Sequence, residues 1–204
     1  MLSETIFRLL SFQYRFPSGF LGRYVGTKMD ERNARQSDWV ISLLDLKPTD
    51  NVLDVGFATG RDLKEIANVV TIGKVCGLDP SETMHNVASE RLKGEIKSGR
   101  AQLYKGYAEH APFSPNTFSK IFAVHVVYFW EDLKKVFIEL FKISLKNGLV
   151  AIYFVTPIIA SNKNFHEYTE NEVKEAMVFS GFKTVRVEHK IFGKQNGVCV
   201  LATK

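Results

Sequence analysis

Two rhythms of apolar residues alternate along the chain. Short β-prone runs recur at 52–55, 74–78, 102–105, 121–127, 149–154, 182–188 and 198–202. Between them apolar positions fall at helical spacing. Leu133, Val136, Phe137, Leu140 and Phe141 follow the i, i+3, i+4, i+7, i+8 template over 131–145, with Lys134, Lys135 and Lys142 on the wet side. Leu63, Ile66 and Ala67 share a face after Gly60, and Trp39, Leu43 and Leu44 mark a helix over about 29–46. A further helix is predicted over 81–97. Thr169 and Glu172 form a capping box that opens another, ending at Gly181. The turn-prone 193–197 joins the last two runs as an antiparallel hairpin. Strands that alternate with helices predict a parallel-centred, three-layer α/β sheet. Residues 1–28 break the rhythm. They are aromatic and interrupted by Pro17, Gly19, Gly22 and Gly26, which predicts an irregular N-terminal arm without a long helix. Ile6, Leu9 and Leu10 could form one apolar face there. The arm either packs over the core or acts as a lid over a site. Residues 29–204 form one domain.

The run Asn-Val-Leu-Asp-Val-Gly-Phe-Ala-Thr-Gly at 51–60 is the chain's most informative stretch. It predicts a strand buried on both faces, interrupted near its end by Asp54. A carboxylate there is costly to bury without a partner. Gly56, Ala58 and Gly60 then supply a small-residue turn into a helix, the geometry that receives polar ligands at the carboxyl edge of an α/β sheet. A dinucleotide fingerprint counted from Gly56 would need glycine where Ala58 and Arg61 stand, so the dehydrogenase reading is weak. Asp79, with Pro80 beside it, lies 19 residues beyond Gly60. In nucleotide-binding βαβ units a carboxylate at about that distance receives the ribose hydroxyls. Met84 either packs on a nucleobase or belongs to the core. His125, at the mouth of the 121–127 run, is open to three uses: base, substrate donor or satisfied core group. Tyr128, Phe129 and Trp130 after it suit cation–π attraction or a hydrophobic pocket wall.

The order of these segments resembles the class I S-adenosylmethionine (SAM)-dependent methyltransferases, of the small UbiE-like, methyltransferase type 11 kind. Asp54, Gly56 and Gly60 match the first motif, with Ala58 in place of its middle glycine. Ala108, Glu109, Pro112 and Phe113 match the third segment, where Tyr107 replaces an acidic residue. Leu145, Lys146 and Gly148 match the turn before the fifth strand, with Asn147 for proline. The resemblance covers about 30–204. It implies a Rossmann-like, seven-stranded sheet in the order 3-2-1-4-5-7-6 with strand 7 antiparallel. It implies SAM as cofactor, S-adenosylhomocysteine as product, and no metal. Cofactor binding then falls to Asp54, Gly56, Ala58, Gly60, Asp79, Pro80, Met84, Ala108, Glu109 and His125. His125 is also the candidate base, and the acceptor pocket is expected from Tyr24, Tyr128, Trp130 and the 156–168 loop. The expected reaction is methyl transfer to a small-molecule acceptor. A SAM-binding module without catalysis is the alternative, and a nucleic-acid methyltransferase a weaker one.

Composition narrows the partners. The chain has 204 residues, 45% hydrophobic and 24% charged, as in soluble globular proteins. No apolar run approaches the roughly 20 residues of a membrane span, and 1–8 lack the pattern of a secretory leader. The net charge of +5 is spread without a dense basic block. No basic stripe interleaved with aromatics, and no Asn-Pro-Pro-Tyr-type tetrapeptide, points to nucleic acid. Cys76 and Cys199 fall in predicted strands and read as small buried hydrophobes. A reduced, cytoplasmic setting is expected. The oligomeric state and the acceptor are not legible.

Overall fold

Seven β-prone runs form one sheet in the computed structural model, which describes residues 12–156 and 165–204. The strands are β1 (Asn51–Val55), β2 (Lys74–Asp79), β3 (Ala101–Lys105), β4 (Phe118–Val124), β5 (Ser144–Val155), β6 (Lys183–Phe192) and β7 (Gln195–Thr203). Their order is β3-β2-β1-β4-β5-β7-β6. β1, β2, β3, β4 and β5 pair in parallel, and β7 runs antiparallel to both β5 and β6. This is the Rossmann-like α/β arrangement with the expected strand order. The hydrophobic runs explain the placement. Val52, Leu53, Ile121, Phe122, Val150, Ala151 and Ile152 lie on central strands and are wholly buried, as strands covered on both faces require. No helix among the described residues is long and apolar enough to cross a membrane.

Among the described residues, the helices that flank the sheet include α1 (Gly19–Leu43), α2 (Arg61–Val69), α3 (Glu82–Arg91), α4 (Lys93–Lys97), α5 (Leu133–Ile143) and α6 (Glu170–Phe179). α1 packs on α2 and α3, and α5 packs on α6. The capping box of Thr169 and Glu172 opens α6, and Gly181 follows it at φ 102°. Cys76 and Cys199 are free and buried, and burial pushes their thiols up to about 11 and about 12.

Several elements differ from the sequence reading, among them β5, which starts at Ser144 and takes in the turn expected at 145–148. The largest difference is α1, which begins ten residues early and runs through Gly22 and Gly26. These glycines are contact points, not breaks. A Cβ on Gly22 would stand 2.6 Å from the Pro17 carbonyl carbon, and one on Gly26 would stand 3.0 Å from the Met84 sulfur and from Thr59 Cγ2. The helix expected over 81–97 divides at Leu92, whose ψ of 16° leaves the helical range. β4 ends at Val124, so His125 and Val127 lie beyond it, His125 at φ 58°. The last hairpin turns on Gly193 and Lys194 alone, with Phe192 paired to Gln195 and Gly193 at φ 64°. The N-terminal face of Ile6, Leu9 and Leu10 and most of the 156–168 loop fall outside the described residues.

Candidate active site

The strand order reverses between β1 and β4, and the carboxyl ends of β1, β2 and β4 open there into a cavity of about 600 Å³. That is the usual ligand position in open α/β sheets, and the volume suits a small organic ligand. One wall is the turn from β1 to α2. Gly56 sits at φ 82°, and a Cβ on it would come within 2.4 Å of Val126 Cγ2. Only glycine fits both the conformation and the space. Ala58 also adopts a positive φ, 46°. Its N–H donates to Asp79 Oδ2 at 3.0 Å, while the Ser81 N–H donates to Asp79 Oδ1 at 2.8 Å. Asp79 therefore ties the first turn to the second. Thr59, fully buried, donates to Asp30 of α1 and accepts from Arg91 of α3 at 2.6 Å. Arg91 also bonds Asp30 at 2.9 Å. This network clamps the turn between two helices.

Carboxylates crowd the cavity. Asp54 is 3% exposed and lines it, and among the described residues no donor hydrogen-bonds its side chain. Burial, then the charges of Asp62 and Asp79, raises its pKa well above the usual carboxylate range. Burial pushes Asp79 up to about 6, against the pull of its two N–H donors. Burial also raises Asp62, opposed by hydrogen bonds from Ser37 and Arg61. Arg61 bridges Asp62 at 2.9 Å and Asp38 at 2.6 Å. A buried carboxylate without a donor is costly, so the arrangement suits a ligand carrying positive charge and several donors.

The opposite wall follows β4. The half-buried His125 ring meets Gln36 Oε1 at 2.9 Å through Nε2 and the Tyr128 hydroxyl at 3.3 Å through Nδ1. Tyr128 accepts from the Val155 N–H at 2.6 Å. Burial, with Arg32 nearby, pulls the imidazole pKa down to about 3. Residues 12–18, helical over 12–15, form a strap whose Tyr14, Arg15, Phe16 and Pro17 line the cavity. Arg15 bridges Glu131 at 3.2 Å, and the Pro17 carbonyl accepts from the Ser81 hydroxyl at 2.5 Å.

Known proteins share the fold. Residues 53–152 match the family model described as "Methyltransferase domain". The Bacillus subtilis (strain 168) methyltransferase YdaC is 25% identical over 88% of this chain and 97% of its own. A SAM-dependent methyltransferase structure from Aquifex aeolicus shares the fold at TM-score 0.71 and 24% identity, over 87% of this chain and 96% of the other. Phosphoethanolamine N-methyltransferase 2 of Haemonchus contortus gives TM-score 0.71 at 19% identity, over 83% of this chain and 52% of that one. Residues 53–152 thus match a methyltransferase domain, on a fold shared with SAM-dependent methyltransferases.

Of the residues assigned to the methyltransferase site from sequence, the structure brings Asp54, Gly56, Ala58, Asp79, Pro80, Ala108, Glu109, His125 and Trp130 to the cavity wall. Four others lie elsewhere. Met84 is fully buried beside Gly26, under α1, and does not line the cavity. Gly60 stands behind the wall as the N-cap of α2, at φ 74°, where a Cβ would meet Ala88 at 2.8 Å. Tyr128 is buried and turned toward Val155. Tyr24 is 58% exposed on α1, outside the cavity. Sequence reasoning missed Asp30, Asn33 and Ser37 of α1, and Arg61 and Asp62 at the start of α2. The signal for the first three was present. They are a polar stripe at i, i+3, i+7, cut into a helix that otherwise must bury its inner face.

Proposed function

We propose that the protein moves a methyl group from SAM to a small-molecule acceptor, with the cofactor on the β1–β2 side of the cavity and the acceptor under the strap. The observation that carries this reading is Asp54: a carboxylate 3% exposed on the cavity wall, to which no described residue donates, beside Gly56, whose missing Cβ leaves room for close approach. Asp54 would face the cationic part of the cofactor and Asp79 its ribose hydroxyls, since charge-assisted bonds to carboxylates are the stronger kind. Pro80, Ala108 and Glu109 would flank the base. When bound, SAM supplies an activated methyl on a sulfonium. The Haemonchus neighbour is described in complex with SAM, and that ligand's ammonium and ribose hydroxyls suit the carboxylate acceptors here.

The chain's own contribution is alignment and exclusion of water. Positioning of two reactants can be worth about 7–11 kcal/mol. The strap of residues 12–18 is the lid in this reading, covering the acceptor end. His125 contributes little as a base. Both its ring nitrogens are engaged, and a pKa of about 3 is far from the near-neutral value that general base catalysis favours. This supports an acceptor whose lone pair is already free at neutral pH, such as an uncharged amine. A panel of amines assayed with SAM should show no kcat inflection near pH 6.5 assignable to His125. An inflection there that His125→Ala removes would restore the base role.

Calorimetry tests the cofactor assignment. Wild type should bind S-adenosylhomocysteine, and Asp79→Ala should bind it at least tenfold more weakly. Equal affinities would remove the ribose role of Asp79.

A further inference from the structure

The strap touches both halves of the cavity with adjacent residues. Phe16, half-buried, meets Tyr107 edge to face with ring centroids 6.5 Å apart and planes at 70°. Tyr107 follows β3, is 55% exposed, and lines the same end of the cavity as Pro80, Gly106 and Ala108. Arg15, one residue earlier, lies over the Phe16 ring at 5.4 Å and bridges Glu131 at 3.2 Å on the opposite rim, after β4. The next residue, Pro17, accepts from the Ser81 hydroxyl, and the Ser81 N–H in turn donates to Asp79. The Gly19 N–H donates to Thr83 Oγ1 at 3.1 Å. The strap is therefore moored to the loop that carries Asp79, and one aromatic ring hangs from it toward the nucleoside end.

Tyr107 stands where the family's third segment carries an acid, and no carboxylate replaces it at that position. A ring there cannot accept from a purine amino group as a carboxylate does, but it offers a face or an edge for stacking. Phe16 supplies the second ring. Resting on the SAM-site reading above, we infer that Phe16 and Tyr107 form an aromatic clamp on the cofactor's purine, and that closing it seats the strap. Cofactor binding and strap closure then share one free energy. By linkage, whatever factor the closed strap adds to cofactor affinity, the cofactor adds to strap closure. Through Arg15 and Glu131 the same movement covers the acceptor end.

Limited trypsin digestion, followed by mass spectrometry of cleavage after Arg15, reads strap opening directly. Calorimetry on the same full-length proteins reads affinity. Saturating S-adenosylhomocysteine should slow cleavage after Arg15 in wild type at least fivefold. Phe16→Ala and Tyr107→Ala should each weaken S-adenosylhomocysteine five- to twentyfold and lose most of that protection. Tyr107→Phe should retain both, because the ring and not the hydroxyl does the stacking. Thermal melts within a few degrees of wild type show that the variants are folded. Tyr107→Ala is the safer of the two, since Tyr107 is largely exposed. Affinity and protection unchanged in both alanine variants, with wild type binding normally, overturn the clamp and leave the SAM site standing. A wild type indifferent to S-adenosylhomocysteine overturns both.

Discussion

Ala58 and Gly56 stand two residues apart in the same turn, both at positive φ, and respond to a methyl group in opposite ways. At Ala58 the methyl is already present, at φ 46°. An L-residue in the left-handed region costs about 1–2 kcal/mol, and replacing alanine by glycine returns part of that gain to unfolded-chain entropy. Ala58→Gly should therefore raise stability by up to about 1 kcal/mol in urea denaturation. At Gly56 a methyl meets Val126 at 2.4 Å as well as the positive φ. Gly56→Ala should cost about 2–4 kcal/mol, combining conformational strain with overpacking. If both substitutions shift the urea midpoint the same way, the turn geometry described here is wrong. The residues of this turn were legible in the sequence because the chemistry of a close approach needs small side chains at fixed spacing. Asp79 was legible for a similar reason, since strand, turn and helix lengths set its distance from Gly60. Met84 was not. A methionine's role depends on which helix lies over it, and α1 was not foreseen to reach that far.

At the level of elements, α1 shows what periodicity cannot decide. Three glycines and a proline before residue 29 lower helix propensity by about 1 kcal/mol for each interior glycine. The chain accepts that cost at Gly22 and Gly26 because their bare backbones let α1 approach Pro17, Met84 and Thr59. Tertiary packing overrides local preference. Gly26→Leu should improve propensity yet lower stability by about 1–3 kcal/mol, through overpacking against Met84 and Thr59. It should also disturb the Thr59–Asp30–Arg91 network. Gly94, in α4, is the control. Nothing lies within 4 Å of a Cβ there, so Gly94→Ala should stabilise by about 0.5–1 kcal/mol. Thermal melts of the two variants distinguish a contact glycine from a tolerated one. The strands and α5 raised no such conflict. The apolar positions of the central strands, buried on both faces, and of α5, buried along one stripe, agree with their local preference, so pattern located them to within a few residues. His125 lay between these cases. Its place after β4 was visible, but its partner Gln36 is 89 residues away and no spacing rule connects them.

Across the whole molecule, a chain of net charge +5 collects buried acids at one sheet edge. This has a thermodynamic sign. The Asp79 carboxyl is raised to about 6 in the folded protein, against about 3.9 in an unfolded chain. Between those values the native state holds the proton that the unfolded state has released, so unfolding free energy falls as pH rises. The contribution is fully present below about pH 4 and lost by about pH 7. Glu95 and Glu172 are shifted the other way, by Lys64 and by the Thr169 cap respectively, and stabilise at higher pH. Raw stability curves mix the two. The difference between wild type and Asp79→Asn removes Glu95 and Glu172, which are common to both, and reads Asp79 together with its charge coupling to Asp54. Asparagine also mismatches one of the two N–H donors, but that cost does not vary with pH. Measured by urea denaturation, wild type should lose about 2 kcal/mol relative to Asp79→Asn between pH 4.5 and pH 7.5. A ligand that donates to the ionised carboxylate reverses the trend. S-adenosylhomocysteine affinity for wild type should tighten as pH rises from 5 to 7, with proton release visible as a buffer-dependent calorimetric enthalpy. A stability difference flat with pH would mean that Asp79 is ionised in the folded protein throughout this range, and the cavity would then be wetter than its burial indicates.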